Sequence, residues 1–424
     1  MCNDAQQLEP IPRVHVLRDI DNVREQSPVR GIPRRCPVCD GSAAIPVFEN
    51  RMAACAGYDF SAPIVVCAAC GSGYAGTALA AGDLNDYYSN LSKYDTLSSA
   101  SDISSLDRER AALAAAFVGP LVDSIGSVLD VGCSAGVFLS KLRDAGIKDV
   151  RGIDPAAQAS EVARNLFGIQ VSCGPAEGFE GYGRFDLVCL MAVLEHLLEP
   201  RRLVGEIARQ LKPGARVLIE VPDAGAFDRP VTNDAFEPLG EFSNEHINFL
   251  AIGDIRRLAH DVGLEVERWQ SFRAANGSPG LFALLHRSEC DSQLVMPEKG
   301  SAPTRVSSRE SLPPYVSRSL LLLEGVEERL ARVCGGDVLV YGAGNHTCRL
   351  MIRSTALSNC TVRAVFDRNS HLHGLKIGSA TILPPGKIGQ FPGLPIIVST
   401  FNASRDIQAT LRGMTSQPVV GLYQ

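Results

Sequence analysis

From residue 105 to 288 short apolar runs alternate with segments whose apolar positions recur every three or four residues. The first pattern is that of strands covered on both faces, the second that of helices with one apolar stripe. Arg108 to Val118 predicts an alanine-rich helix, and Ser127 to Val131 a strand running into a glycine turn and a helix over Val137 to Asp144. Further strands are expected at Asp149 to Ile153, Ile169 to Ser172, Phe185 to Met191 and Arg216 to Val221. Helices separate them, near Ala156 to Phe167 and through Leu203, Val204, Ile207 and Leu211. Strand, crossover helix, strand, repeated, specifies an α/β fold with a parallel doubly wound sheet. A helix at Ile252 to Val262 then precedes two strands, Leu264 to Trp269 and Leu281 to His286, whose short connection predicts an antiparallel hairpin closing that sheet.

A second alternating segment occupies 316–424. Its first strand, Asp337 to Tyr341, enters another glycine turn at Gly342-Ala343-Gly344, and a later strand, Arg363 to Phe366, ends at Asp367. This predicts part of a Rossmann-like unit, whose turn either cradles a phosphate or is an empty inheritance of the fold. Residues 289–315, rich in Ser, Pro and charge, read as the linker between the two segments. In front lie a polar extension, 1–35, a cysteine-bearing segment, 36–76, and an aromatic connecting segment, 77–104.

A length of 424 residues fits two or three domains, and 45% hydrophobic with 21% charged residues is ordinary for a globular protein. A net charge of -6 argues against a nucleic-acid partner. Met1 to Pro10 shows no secretory pattern, and the longest apolar run, Leu187 to Leu194, is far short of a membrane span, so a cytoplasmic location and no membrane partner are expected. Of 13 cysteines, Cys36, Cys39, Cys67 and Cys70 form two x2-spaced pairs separated by 27 residues. Two such knuckles present four thiolates to a structural Zn²⁺ and predict a zinc-binding ribbon over 36–76, with strands at Ala43 to Phe48 and Ile64 to Val66. Redox chemistry at one pair, or iron–sulfur, stands as the alternative.

The chemistry of the central segment begins at Val128-Leu-Asp-Val-Gly-Cys-Ser-Ala-Gly-Val-Phe-Leu139. Gly132 lets the chain turn off the first strand, and Gly136 lets backbone approach a ligand at the helix start. Asp154, at the end of the second strand, is placed to accept ribose hydroxyls. The dinucleotide fingerprint needs a third glycine, and Phe138 and Leu139 stand in that neighbourhood instead. Downstream, Glu245 and His246 form an acid–imidazole pair in the loop Gly240 to Phe249. A histidine there is suited to removing an acceptor proton, with the carboxylate assisting; a loop pair that only bonds the backbone is the alternative.

Over roughly 105–288 the sequence resembles the class I S-adenosylmethionine (SAM) dependent methyltransferases. The matching pieces are Leu129-Asp130-Val131-Gly132-Cys133 with Gly136, then Asp154, Gly174-Pro175-Ala176-Glu177, Phe185-Asp186-Leu187-Val188, Leu194-Glu195-His196 with Pro200, and Leu211-Lys212-Pro213-Gly214. The resemblance implies a Rossmann-like sheet with an antiparallel last strand and SAM as cofactor. Asp130 and Gly132 would line its methionine end, Asp154 its ribose, and Ala176 and Glu177 the adenine neighbourhood. Met191 and Ala192 would lie beside it, with Cys133, Gly136 and Pro155 in the same binding set. Glu195-His196 is open between shaping the site and chemistry.

A cysteine-bearing front and a Rossmann-like tail also make the chain similar to sugar C-methyltransferases acting on nucleotide-linked deoxy-keto sugars. In that family a Glu-His pair follows a tyrosine and assists proton removal next to a ketone. Here Ser243 and Asn244 stand at the tyrosine and an adjacent histidine position. Tyrosines near position 88 face the acceptor in that family, which makes Tyr88 a candidate; an aromatic hinge between domains is the alternative. The expectation is C-methylation of a nucleotide-linked keto-deoxysugar with His246 as general base. O- or N-methylation of another small molecule, and a non-catalytic SAM-binding scaffold, are the other readings.

Overall fold

A computed structural model describes residues 29–90, 103–175, 180–229, 237–287, 304–401 and 404–423. In the cysteine-bearing segment, β1 (Ala44–Asn50) and β2 (Ala62–Cys67) pair antiparallel, and β3 (Gly73–Ala75) adds to β2. The knuckles therefore sit just ahead of one strand and at the end of the next. The fourth strand of this sheet, Asn248–Phe249, comes from the central segment and pairs with β3. Helix α1 (Ala81–Asn90) follows.

The central segment forms α2 (Ser105–Val118), β4 (Ser127–Val131), α3 (Val137–Asp144), β5 (Asp149–Asp154), α4 (Ala157–Phe167) and β6 (Gln170–Cys173). It continues with β7 (Leu187–Met191), α5 (Pro200–Gln210), β8 (Arg216–Pro222), β9 (Asn248–Phe249), α6 (Ile252–His260), β10 (Leu264–Arg273) and β11 (Pro279–Arg287). The expected elements fall within a few residues of these bounds. Apart from β9, the strands form one sheet in the order β6-β5-β4-β7-β8-β11-β10. The first five run parallel, and β11 inserts antiparallel between β8 and β10, as the hairpin pattern predicts. The winding direction reverses between β4 and β7, and at such a switch point ligands collect beyond the strands' carboxyl ends. Just past β8, Asp223 is fully buried; it accepts from Gly225 N and Thr304 Oγ1, both at 3.0 Å, and from Ser271 Oγ. Burial pushes its carboxyl up to about 6.

The tail opens with α7 (Ser308–Ala331), followed by β12 (Asp337–Tyr341), α8 (Asn345–Arg353), β13 (Thr361–Phe366), β14 (Lys376–Ile377), β15 (Ala380–Leu383), β16 (Ile396–Val398), α9 (Ser404–Met414) and β17 (Val419–Gly421). Its sheet runs β14-β15-β13-β12-β16-β17, an α/β layer of the Rossmann-like kind expected. The linker reading of 289–315 needs adjustment at its end: residues 288–303 lie outside those described, but helix begins at Ser308 and runs through Pro313 and Pro314. Tertiary anchors outweigh the proline penalty of about 3 kcal/mol. Ser308 Oγ donates to Asp254 Oδ2 (2.9 Å) and accepts from Gly73 N (2.7 Å), and Arg309 donates to the carbonyls of Cys67 and Ala68. Leu312, Tyr315 and Val316 then pack with Ile64, Val66, Phe242 and Phe249, covering one face of the cysteine-bearing sheet.

Candidate active site

The turn after β4 is built from left-handed residues: Gly132 at φ 74°, Ser134 at 47° and Gly136 at 72°. A Cβ on Gly132 would stand 2.8 Å from Val193, so glycine is required there for space as well as conformation. Cys133 packs its sulfur against Gly152 of the next strand. The turn directs an amide at Asp154: Oδ2 accepts from Ser134 N at 2.7 Å and Oδ1 from Ala156 N at 2.8 Å. These bonds partly offset the burial that raises the Asp154 pKa. Each oxygen keeps a further lone pair for a ligand hydroxyl.

Asp130, at the end of β4, is 2% exposed, and its Oδ1 has no hydrogen-bond partner among the described residues. Burial first, then the carboxylates of Asp154 and Glu220, push its pKa well up. Glu220 on β8 is satisfied by Arg110 of α2 at 2.6 Å. Across from them Ala192 takes φ 54°, a conformation disfavoured outside glycine, while its N–H bonds the Glu220 carbonyl. Asp130, Gly132, Cys133, Asp154, Pro155, Met191 and Ala192 all border one cleft of about 1890 Å³. That exceeds a typical single-ligand pocket of about 300–1,000 Å³, leaving room for two molecules side by side. Gly136, between the lining residues Ala135 and Val137, caps α3. Ala176 and Glu177 lie outside the described residues.

Beside this cleft the loop Glu241 to Ile247 folds back on the turn after β7. The Glu195 carbonyl accepts from Ile247 N (2.8 Å) and Asn248 N (3.1 Å), and Asn248 Nδ2 donates to the carbonyls of Leu194 and Leu197. Arg34 locks the arrangement, donating to Asn248 Oδ1 at 2.8 Å and to the carbonyls of Ala75, Leu198 and Ile247. His196 and His246 meet edge to face, ring centroids 5.0 Å apart. Glu195 lies beneath them, 1% exposed; burial pushes its carboxyl up to about 8, and Oε2 has no partner among the described residues.

The Glu245 carboxylate, expected to assist His246, is engaged by a tyrosine. The Glu245 carboxylate accepts from Tyr87 Oη at 3.1 Å, and its carbonyl accepts from His196 Nδ1 at 3.1 Å. Asn244 Nδ2 donates to the same Tyr87 hydroxyl at 2.6 Å, and Ser243 Oγ accepts from His246 N at 3.0 Å. The residues that depart from the sugar-methylating pattern thus hold the loop itself. Tyr88 lies on α1, but its side chain is outside the described residues; Tyr87 is the tyrosine brought to Glu245.

The four knuckle cysteines converge. Their sulfurs lie within 4.8 Å of one another, with Cys36–Cys70 and Cys39–Cys67 each at 3.5 Å. A Zn–S bond of about 2.3 Å puts tetrahedral sulfurs about 3.8 Å apart, so the set fits the ion. Backbone amides of Val38 and Cys39 bear on the Cys36 sulfur, that of Gly41 on Cys39 and that of Ser72 on Cys70. They work against the Cys70 contact and the burial that push the Cys36 thiol up and the burial that pushes Cys39 up, while Cys70 is lowered to about 4, chiefly by its contact with Cys36.

Comparison with known proteins bears on the central segment. Residues 104–268 match the family model described as a methyltransferase domain. This stretch is a methyltransferase domain. Similar curated proteins include the ubiquinone biosynthesis O-methyltransferase of Thiobacillus denitrificans, 30% identical over 151 residues covering 33% of this chain and 65% of that protein. That of Ralstonia nicotianae is 27% identical over 190 residues, covering 42% of this chain and 77% of that protein. The chain thus spans under two thirds of the Thiobacillus protein it matches. Among solved structures, the magnesium protoporphyrin IX methyltransferase of Synechocystis, with bound SAH, is similar at 16% identity and TM-score 0.38, covering 49% of this chain and 99% of that one.

The sequence pattern missed four residues that shape the cleft or the loop beside it. Arg110 and Glu220 form a partly buried ion pair across the cleft, Arg34 borders it from just ahead of the first knuckle, and Tyr87 of α1 holds the loop beside it. A charged residue at a strand end was a visible signal for Glu220. For Arg34, which bonds partners more than 160 positions away, no local signal exists.

Proposed function

We propose that the chain transfers a methyl group from SAM to a small-molecule acceptor, and that its four-cysteine centre holds a structural Zn²⁺. The observation that carries the first reading is the Asp130 carboxylate: buried, facing the cleft, and left with an unsatisfied oxygen beside an Asp154 held by glycine-turn amides. A ligand with a cation at one end and a ribose further along satisfies both carboxylates at once. When bound, SAM supplies an electrophilic methyl carbon on a sulfonium. The protein's own part is alignment: Asp154 takes the ribose, Asp130 the ammonium of the methionine end, and Met191 with the left-handed Ala192 borders the donor where the acceptor approaches.

The finer reading is C-methylation of a nucleotide-linked keto-deoxysugar. The loop that carries His246 beside the cleft supports it, since a carbon nucleophile requires removal of a proton next to a ketone. Glu245 supports the imidazoles by fixing His196 and Tyr87. O-methylation is the second reading, favoured by the O-methyltransferase names of the curated relatives.

Titration calorimetry with SAM and with NAD tests the donor. Binding of SAM, weakened about 10- to 100-fold by Asp130→Asn through loss of a charged hydrogen bond of about 1.5–3 kcal/mol, is the expected result. Uptake of NAD with indifference to SAM would reverse the proposal. NMR location of a labelled methyl group in the product then separates carbon from oxygen acceptors. His246→Asn is expected to keep SAM binding and lose turnover by about 10²–10⁴.

A further inference from the structure

We infer that Glu195, His196 and His246 hold a divalent transition-metal cation at the edge of the cleft, distinct from the four-cysteine centre, and that an acceptor oxygen completes its coordination. One ligand atom from each of the three lies within 4.8 Å of the others. Two imidazoles and one carboxylate, with no thiolate, form a donor set for zinc, manganese or iron.

Three features go beyond proximity. First, the tautomer of His196 is set. A carbonyl can only accept, so the Nδ1···O=C bond to Glu245 makes Nδ1 a protonated nitrogen, and Nε2, the nitrogen that can ligate, stands 3.9 Å from Glu195 Oε1. Such a bond to backbone is how metal-ligating histidines are oriented. Metal bonds of about 2.0–2.2 Å bring neighbouring donors to about 3.3 Å, so the Nε2–Oε1 pair closes by about 0.6 Å and no pair of the three, all within 4.8 Å, by more than about 1.5 Å. Second, Glu195 is 1% exposed with Oε2 unsatisfied among the described residues, a costly arrangement that a cation relieves. Third, the two ligand-bearing segments are clamped together by the bonds from Ile247 N and Asn248 N to the Glu195 carbonyl, so the set is assembled in advance.

Three protein ligands leave a coordination position, and His196 borders the cleft together with Met191 and Ala192. A hydroxyl or enol oxygen bound there gives up its proton to solvent near neutral pH, as water does on zinc. The oxyanion, or the carbon conjugated with it, then faces the donor. His246 in this form serves as a ligand, and the ion takes over the activation assigned above to the imidazole. This consequence rests on the SAM reading of the cleft, whereas ion binding itself does not.

The test is metal stoichiometry on the full-length protein, by elemental mass spectrometry after dialysis against Zn²⁺ and by spectra after replacement with Co²⁺. Two equivalents per chain are expected. One cobalt shows the thiolate charge-transfer band of the cysteine centre, and the second shows ligand-field bands alone. Glu195→Gln and His246→Ala should each lose the second equivalent and keep the first, with unchanged circular dichroism. His246 is only half-buried, so its truncation remains informative if Glu195→Gln misfolds. A wild type with only the thiolate-bound cobalt, or a His246→Ala protein that keeps both ions, overturns the proposal. Calorimetry with SAM on the same samples keeps the readings apart: two ions without SAM binding removes the donor assignment alone, and SAM binding with one ion removes this one alone.

Discussion

Asp223 shows how a single side chain links burial to pH. It is buried and hydrogen-bonded, yet burial dominates and raises its carboxyl from 3.8 to about 6. The folded state therefore holds the proton more tightly than the unfolded chain. The associated stability is full below about pH 4 and is lost as pH rises through 6, a span worth about 3 kcal/mol. Urea midpoints measured from pH 4 to 7 should fall more steeply with pH in the wild type than in Asp223→Asn. At this scale the sequence was informative wherever the chemistry is local. Gly132, Asp130 and Asp154 lie within one strand–turn–helix–strand unit, and each cysteine pair within one knuckle, so spacing, with the family resemblance for Asp130, singled them out. Tyr87 and Asn248 were not legible, because their roles come from partners 158 and about 50 positions away.

Among the elements, strands with continuous apolar runs and helices with a clear stripe were recognisable, and the antiparallel closing hairpin followed from its short connection. Two features escaped. The short strands β3 and β9 draw their order from each other and from Arg34, not from an apolar run of their own. Helix α7 was hidden by Pro313 and Pro314, whose local meaning is a break. Its start depends on anchors outside the helix, which gives a specific expectation. Ser308→Ala removes a donor to the buried Asp254 and an acceptor for Gly73 N. The predicted loss is about 1–3 kcal/mol, seen as a lower guanidinium midpoint with unchanged affinity for the methyl donor, since neither partner borders the cleft. An unchanged midpoint would mean that the apolar face of α7 suffices to seat it.

Among the described residues the three larger sheets are interleaved instead of strung in series. The cysteine-bearing sheet borrows β9 from the methyltransferase domain and is covered by α7 from the tail. Arg349 of α8, buried, donates to Asn50 Oδ1 of β1 and to the carbonyl of Phe242, tying all three together. A chain ended at residue 303 would uncover Ile64, Val66, Phe242 and Phe249. It is expected to bind an apolar dye and to lose a single cooperative thermal transition, whereas independent units would melt as they do in the intact protein.

Arg309 donates to the carbonyls of Cys67 and Ala68, inside the second knuckle, from more than 240 positions downstream. During synthesis the ribosome releases the cysteines long before this clamp emerges. Any ion captured early is thus held by a half-finished ribbon, and its exchange should slow only when the last third of the nascent chain is free to close over it.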